Sequence, residues 1–196
     1  MYSSQKDIIW LLYNNPVTVF TLPSVALISD ETNFQSLNQK LNYYVRTGKL
    51  MHPRKGIYAK PGYNPEELAC MLYTPSYLSL EYVLQKAGVI FQFDSRITSV
   101  SYLSRSVEVE SHTLAYRKIK NEILINLSGI NRSGNINIAT PERAFLDMLY
   151  LNSSYYIDNV QILNESLIHQ LLPVYNSKAL TKRVFNFLQN DRHQQT

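Results

Sequence analysis

Two groupings of carboxylates could do acid–base or metal chemistry. Glu142 and Asp147 bracket Arg143 at the start of an apolar-periodic run, and acids about one helical turn apart share a face. The same letters have a plainer reading. An acid in a first helical turn complements the helix dipole, and Arg143 with Asp147 makes an i,i+4 pair. Glu108 and Glu110 stand two apart in an alternating stretch and therefore on one strand face. A metal-dependent nuclease would want a lysine close behind such a pair. None stands two residues after either acid, so a solvent-facing strand is the better reading. His52, His112, His169 and His193 are scattered without ligand spacing, and the single Cys70 supports neither a disulfide framework nor a cysteine zinc site. Six glycines form no phosphate loop, and no nucleophile elbow is present. The expectation is a non-enzymatic protein with no cofactor and no metal.

Charge is the stronger signal. The chain has 196 residues, a net charge of +4 and a pI near 9.0. Residues 1–62 carry seven basic side chains against three acids, whereas residues 63–196 carry twelve of each. From Thr32 to Asn64 there are six cations (Lys40, Arg46, Lys49, Arg54, Lys55, Lys60) and no acid. Clustered Lys and Arg displace counterions from phosphates, so a polyanion partner is one account. A solvated helix face is the other, and charge alone does not separate them.

Pattern takes the argument further, because those cations need elements to position them. Ser3 or Ser4 can cap a first helix ending at Asn14, ahead of Pro16. Val17–Phe20 is a β-prone link. Thr21 suits the cap of a second helix over Leu22–Ser29 with Pro23 in its first turn. Thr32 or Asn33 caps a third helix that places Phe34, Leu37, Leu41, Tyr44 and Val45 on one face, ended near Gly48. Pro53-Arg54-Lys55-Gly56 between two β-prone runs reads as a hairpin turn. Three helices followed by a basic hairpin describe a winged helix-turn-helix, whose third helix enters the DNA major groove.

Pro61–Pro65 marks a boundary. Helices are then expected over Glu66–Tyr73 and Ser79–Ala87. Short strands are expected at 97–102, 107–110, 114–119, 123–125 and 136–138, with 129–134 as a loop. Thr140-Pro141-Glu142 opens a helix to about Leu151, and two more follow, split near Pro173. Tyr150, Tyr155 and Tyr156 could mark a partner surface, with core packing the simpler account.

Several blocks resemble one family. Tyr44-Val45-Arg46-Thr47-Gly48-Lys49-Leu50 followed by Lys55-Gly56-Ile57-Tyr58 is similar to the end of the winged domain of AbiEi-type antitoxins. Tyr77 to Leu84 with Gly88-Val89-Ile90 is similar to a second segment of that family, and Ile138 to Asp147 to a third. The order and spacing agree over roughly residues 30–151. The resemblance implies a transcriptional autorepressor and antitoxin of the type IV, abortive-infection class. Such a protein binds inverted repeats in its own promoter and acts against a nucleotidyltransferase toxin where one is encoded alongside; members of the wider group also occur without a known toxin partner. Residues after Leu151 carry no such likeness.

The expected fold is α+β: a winged helix-turn-helix over residues 1–62, then a mixed α/β domain over 63–196 with a small, largely antiparallel sheet. The expected partner is double-stranded DNA. Bases are read by the polar face of the third helix (Asn33, Gln35, Ser36, Gln39, Lys40, with Asn42 and Tyr43), and phosphates are gripped by Arg46, Lys49, Arg54 and Lys55. The alternative is a protein-interaction module that binds a toxin or other partner without sequence-specific DNA binding. The longest strictly apolar run, Ile8–Tyr13, is far short of a membrane span, and a cytoplasmic location is the expectation.

Overall fold

The computed structural model describes residues 7–193. Its internal packing divides the chain between Leu68 and Ala69, inside a helix six residues beyond the Gly62 boundary read from sequence.

The first unit is built from α1 (Ile8–Asn14), β1 (Val19–Thr21), α2 (Leu22–Ser29), α3 (Phe34–Arg46), β2 (Met51–Arg54), β3 (Ile57–Ala59) and the start of α4 (Pro65–Leu72). Ser3 and Ser4 lie outside the described residues. Asp7 caps α1 by accepting from the Ile9 N–H at 3.1 Å. Thr21 and Ser24 form a reciprocal capping box at α2, and Asn33 caps α3. The helices bury Ile8, Leu12, Val25, Leu37 and Leu41 against Phe20, Leu50 and Tyr58. Each fully buried aliphatic side chain contributes about 1.5–3 kcal/mol. Phe34 departs from the expected apolar face: at the first position of α3 it is 48% exposed, because the core ends one turn further on, at Leu37.

The β-prone link at 17–20 supplies a strand. β1 pairs antiparallel with β3, and β3 with β2, giving the order β1-β3-β2. As the central strand, β3 buries Ile57, Tyr58 and Ala59 alike. The outward edge of β1 is closed by Glu67, whose buried carboxylate accepts from the N–H groups of Thr18 at 2.7 Å and Val19 at 2.9 Å.

The second unit carries β4 (Ser76–Leu78), α5 (Glu81–Lys86), β5 (Ile97–Ser101), β6 (Arg105–Val109), β7 (His112–Lys118), α6 (Asn121–Leu124), β8 (Ile130–Ser133), β9 (Ile136–Ala139), α7 (Pro141–Leu151), α8 (Glu165–Leu171) and α9 (Lys178–His193). Its sheet has six strands in the order β6-β7-β5-β4-β9-β8. That is larger and more mixed than the small antiparallel sheet expected, because β4–β9 and β5–β7 pair in parallel. Two segments exchange roles relative to the sequence reading. Ile123-Leu124-Ile125 belongs to a helical turn, α6, that buries Ile123 and Leu124 and leaves Ile125 59% exposed. A three-residue apolar run has no periodicity to tell the two states apart. The 129–134 loop instead contains β8, which hairpins onto β9 through Gly134-Asn135. Helix α7 packs against α5, α8 and α9. Among the described residues, no helix is long and apolar enough to cross a membrane.

Candidate nucleic-acid interface

Helix α3 presents its exposed side chains in a defined order. At 100° per residue, Gln35, Gln39, Asn42 and Arg46 fall within a sector of about 60°, opposite Leu37 and Leu41. All four are exposed, and none of the three carboxamides has a hydrogen-bond partner among the described residues. Four residues, Asp30 to Asn33, join α2 to α3. On one flank of the stripe lie Ser36 and Tyr43, the latter 52% exposed and edge-on to Tyr44.

Other predicted readers have structural duties. The Asn33 side-chain oxygen accepts from the Ser36 N–H at 3.0 Å, so its acceptor is spent on the helix cap. Lys40 donates to Glu31 at 3.1 Å, on the far side of the helix from the carboxamides. The Asn33 N–H and the Lys40 ammonium hold the Glu31 carboxyl below its ordinary value. Glu31 and Lys40 stand nine residues apart, a separation no helix-spacing rule would flag.

The hairpin places the other cations. Arg54 faces Ile57 across a two-residue turn of Lys55 and Gly56, one residue later than the Pro53–Gly56 turn read from sequence. Gly56 takes φ +79°, the left-handed geometry that the third position of a type II turn requires. Tyr58 ties this hairpin to α3 by donating to Asn38 Oδ1 at 2.8 Å, and His52 stacks on its ring at 5.0 Å. Burial pushes the Tyr58 hydroxyl up, in keeping with a neutral donor. Sequence reasoning left Asn38 out; it is exposed at the helix surface, and only the tertiary register of β3 reveals its role.

Of the six cations between Thr32 and Asn64, the structure withdraws two. Lys40 is paired with Glu31. Lys60 donates to the Asn15 carbonyl at 2.6 Å, at the end of α1, where burial pulls its ammonium below the ordinary value. Arg46, Lys49, Arg54 and Lys55 are exposed, and none has a carboxylate partner among the described residues. Lys49 alone is partly engaged, its ammonium 5.9 Å from the Tyr44 ring centre. Three uncharged hydrogen-bonding side chains on α3 with Arg46 in line with them, and three more exposed cations after the helix and at the hairpin turn, have the composition that phosphate positioning with base-edge reading demands.

The second unit places the carboxylates differently. Arg143 and Asp147 are both 0% exposed, with Nε 3.3 Å from Oδ1. Asp147 also accepts from Tyr175 at 2.6 Å, Ser79 at 2.8 Å and Tyr77 at 3.2 Å. Arg143 donates to the carbonyls of Ile123 and Ser128, both at 2.8 Å, and to the Tyr77 hydroxyl at 2.9 Å. Burial raises the Asp147 carboxyl against the opposing pull of Arg143 and the three hydroxyls. Burial likewise works against the charge on Arg143, but Asp147, Tyr175 and Tyr77 hold its guanidinium protonated. Glu142 accepts from the Asn164 N–H at 3.1 Å. These residues fasten the α6 turn, the β8 approach and the segment before α8 onto α7, in a centre closed to substrate. Glu108 is exposed on β6, while Glu110 follows the strand in a tight turn at φ +54°. Tyr150 packs on Tyr175 at 5.5 Å, and Tyr156 is 67% exposed. Among the described residues, no three His, Cys, Asp or Glu side chains converge as a metal site would require.

No family model matches the chain, and no curated protein matches it. Among solved structures, it is similar to the crystal structure of the RV2827C protein from Mycobacterium tuberculosis, at 16% identity and a TM-score of 0.52. The match covers 90% of this chain and 72% of that one. A likeness at this identity speaks to the fold alone.

Proposed function

We propose that the first unit is a winged helix-turn-helix that binds double-stranded DNA, and that the chain is a transcriptional autorepressor with the antitoxin role of the AbiEi class. The observation that carries the DNA reading is the set of four exposed cations of the first unit without a carboxylate partner among the described residues, together with the uncharged stripe of α3. In this reading α2 and α3 are the helix-turn-helix, α3 lies in the major groove, and the β2–β3 hairpin is the wing. Arg54 and Lys55 at the hairpin tip and Arg46 and Lys49 beyond α3 contact phosphates and set the register. Gln35, Gln39 and Asn42 face base edges, and inverted repeats in the chain's own promoter are the target.

A protein partner is the second part of the proposal. Phe91 and Phe93 are 70% and 84% exposed in the segment after α5, where Asp158 holds the Phe91 N–H at 2.8 Å. Exposed aromatic pairs of this kind are enriched at protein interfaces, and a nucleotidyltransferase toxin is the partner the family likeness implies. The test of the DNA reading is a gel shift with the chain's own upstream region. Retarded complexes at low salt, competed poorly by unrelated duplex, are expected. Failure to bind any duplex at low salt would leave the protein-interaction role alone.

A further inference from the structure

The carboxamide stripe on α3 points to a class of base, not only to DNA. We infer that this face selects duplexes with a run of A·T pairs, Gln35, Gln39 and Asn42 pairing with adenines in the major groove. The inference rests on the DNA-binding reading above and narrows it. Gln and Asn side chains donate to N7 and accept from N6 of adenine as a bidentate pair, whereas Arg and Lys match O6 and N7 of guanine. Which of these chemistries α3 offers depends on which side chains are free, and the structure decides that.

Helix α3 contains two cations, Lys40 and Arg46. Lys40 is bonded to Glu31 and points away from the stripe, so it is not available to read guanine there. Arg46 lies in the last turn, one turn beyond Asn42, where phosphate is the nearer acceptor for a helix entering by its N-terminal end. Asn33, the remaining amide in front of the helix, spends its oxygen on the cap. What remains on the stripe is three exposed carboxamides. From Gln35 to Asn42 the helix rises about 10.5 Å, close to three base-pair steps of about 3.4 Å. Tyr43 on the flank, 52% exposed, offers an apolar edge to a thymine methyl.

The test uses the full chain. A randomised duplex library is selected at about 50 mM salt, and duplexes of matched length are then titrated by fluorescence anisotropy. Adenines enriched at two or three positions within one half-site are expected. Gln39→Ala should relax the preference at one position by roughly 5- to 150-fold, with no change in salt slope because no phosphate contact is removed. Gln39 is exposed and bonded to nothing described, and circular dichroism checks that the variant folds. Enrichment of guanine at those positions, or salt-dependent binding with no base preference, overturns the inference and leaves DNA binding standing. A Gln39→Ala profile identical to the parent's also overturns it. Absence of binding to any duplex overturns the DNA reading itself.

Discussion

Replacing Arg54 and Lys55 together by alanine removes two of the four unpaired cations of the first unit and touches nothing in its core, since both side chains are exposed at the hairpin turn. The size of the effect follows from counterion release. With about 0.9 ion released per phosphate neutralised, four contacts give a slope of about −3.6 in log K against log salt for each bound copy, and two give about −1.8. Raising salt from about 50 to about 200 mM should therefore weaken the parent roughly 150-fold and the double variant roughly 12-fold. Had all six cations of the Thr32–Asn64 segment been engaged, the slope would be about −5.4 and the parent's loss roughly 1,800-fold. The structure forecasts the smaller figure because Lys40 and Lys60 are spent inside the unit. Fluorescence anisotropy on a promoter duplex over that salt range measures the slope, and the halving holds whether one copy binds or two. An unchanged slope in the double variant would refute the assignment of the hairpin as a DNA-contacting wing. A Lys40→Ala variant that flattened the slope as much as losing Arg54 would refute the argument from pairing.

Three further outcomes are expected. Arg143→Met leaves Asp147 buried without its cation and should cost about 3–5 kcal/mol, lowering Tm by roughly 6–20 °C in scanning calorimetry; a loss under about 1 kcal/mol would show that the network does not hold the α6 turn on α7. Gly129→Ala should be worse than Gly62→Ala by about 1–3 kcal/mol in urea unfolding. Both glycines have φ near +72°, but a Cβ at Gly129 would stand 3.0 Å from Arg143 Cβ and 3.0 Å from Leu171 Cδ1, whereas Gly62 faces open space. The Glu31–Lys40 pair should respond to acid with a defined sign. Its folded carboxyl lies below the ordinary value of 4.5, so its contribution is complete above that pH and is lost as pH falls through the lower folded value. An NMR titration of the Glu31 side chain with a midpoint at or above 4.5 would contradict the pairing.

Local signals were legible wherever a rule acts within a few residues. The caps at Thr21, Asn33 and Thr140, the proline at the start of α7 and the apolar spacing of Leu37 and Leu41 place α2, α3 and α7 where the sequence puts them. What stayed hidden depends on distant partners. β4 is three residues long and is a strand because β5 and β9 lie on either side of it. The parallel pairings β4–β9 and β5–β7 leave no trace in hydrophobic periodicity. The i,i+4 spacing of Arg143 and Asp147 was visible, but not that both are buried, since that follows from Tyr77, Ser79 and Tyr175 arriving from far along the chain. On α3 the polar face was readable as a face. That Lys40 and Asn33 are occupied, leaving Gln35, Gln39 and Asn42, was not.

The residues that carry the likeness to AbiEi-type antitoxins in the second unit turn out to be neighbours in space. Tyr77 and Ser79 from one block and Arg143 and Asp147 from the other meet in a single buried network, while Thr140 and Pro141 start the helix that delivers them. Each letter has a duty that any chain adopting this arrangement must discharge, so agreement there reports on fold, as does the 0.52 TM-score with RV2827C. Function has to be sought where the fold makes no demand. Gln35, Gln39, Asn42, Arg46, Arg54 and Lys55 are such places, exposed and free of fold-bearing side-chain contacts among the described residues. A face serving solubility alone gains from mixing signs, because interspersed acids relieve repulsion among the cations. From Thr32 to Asn64 no acid is interspersed, and Glu31, just ahead of α3, binds Lys40, the cation lying off the carboxamide stripe. That arrangement leaves positive charge uncompensated where a polyanion would compensate it, and it is the physical ground for the proposal that this unit binds DNA.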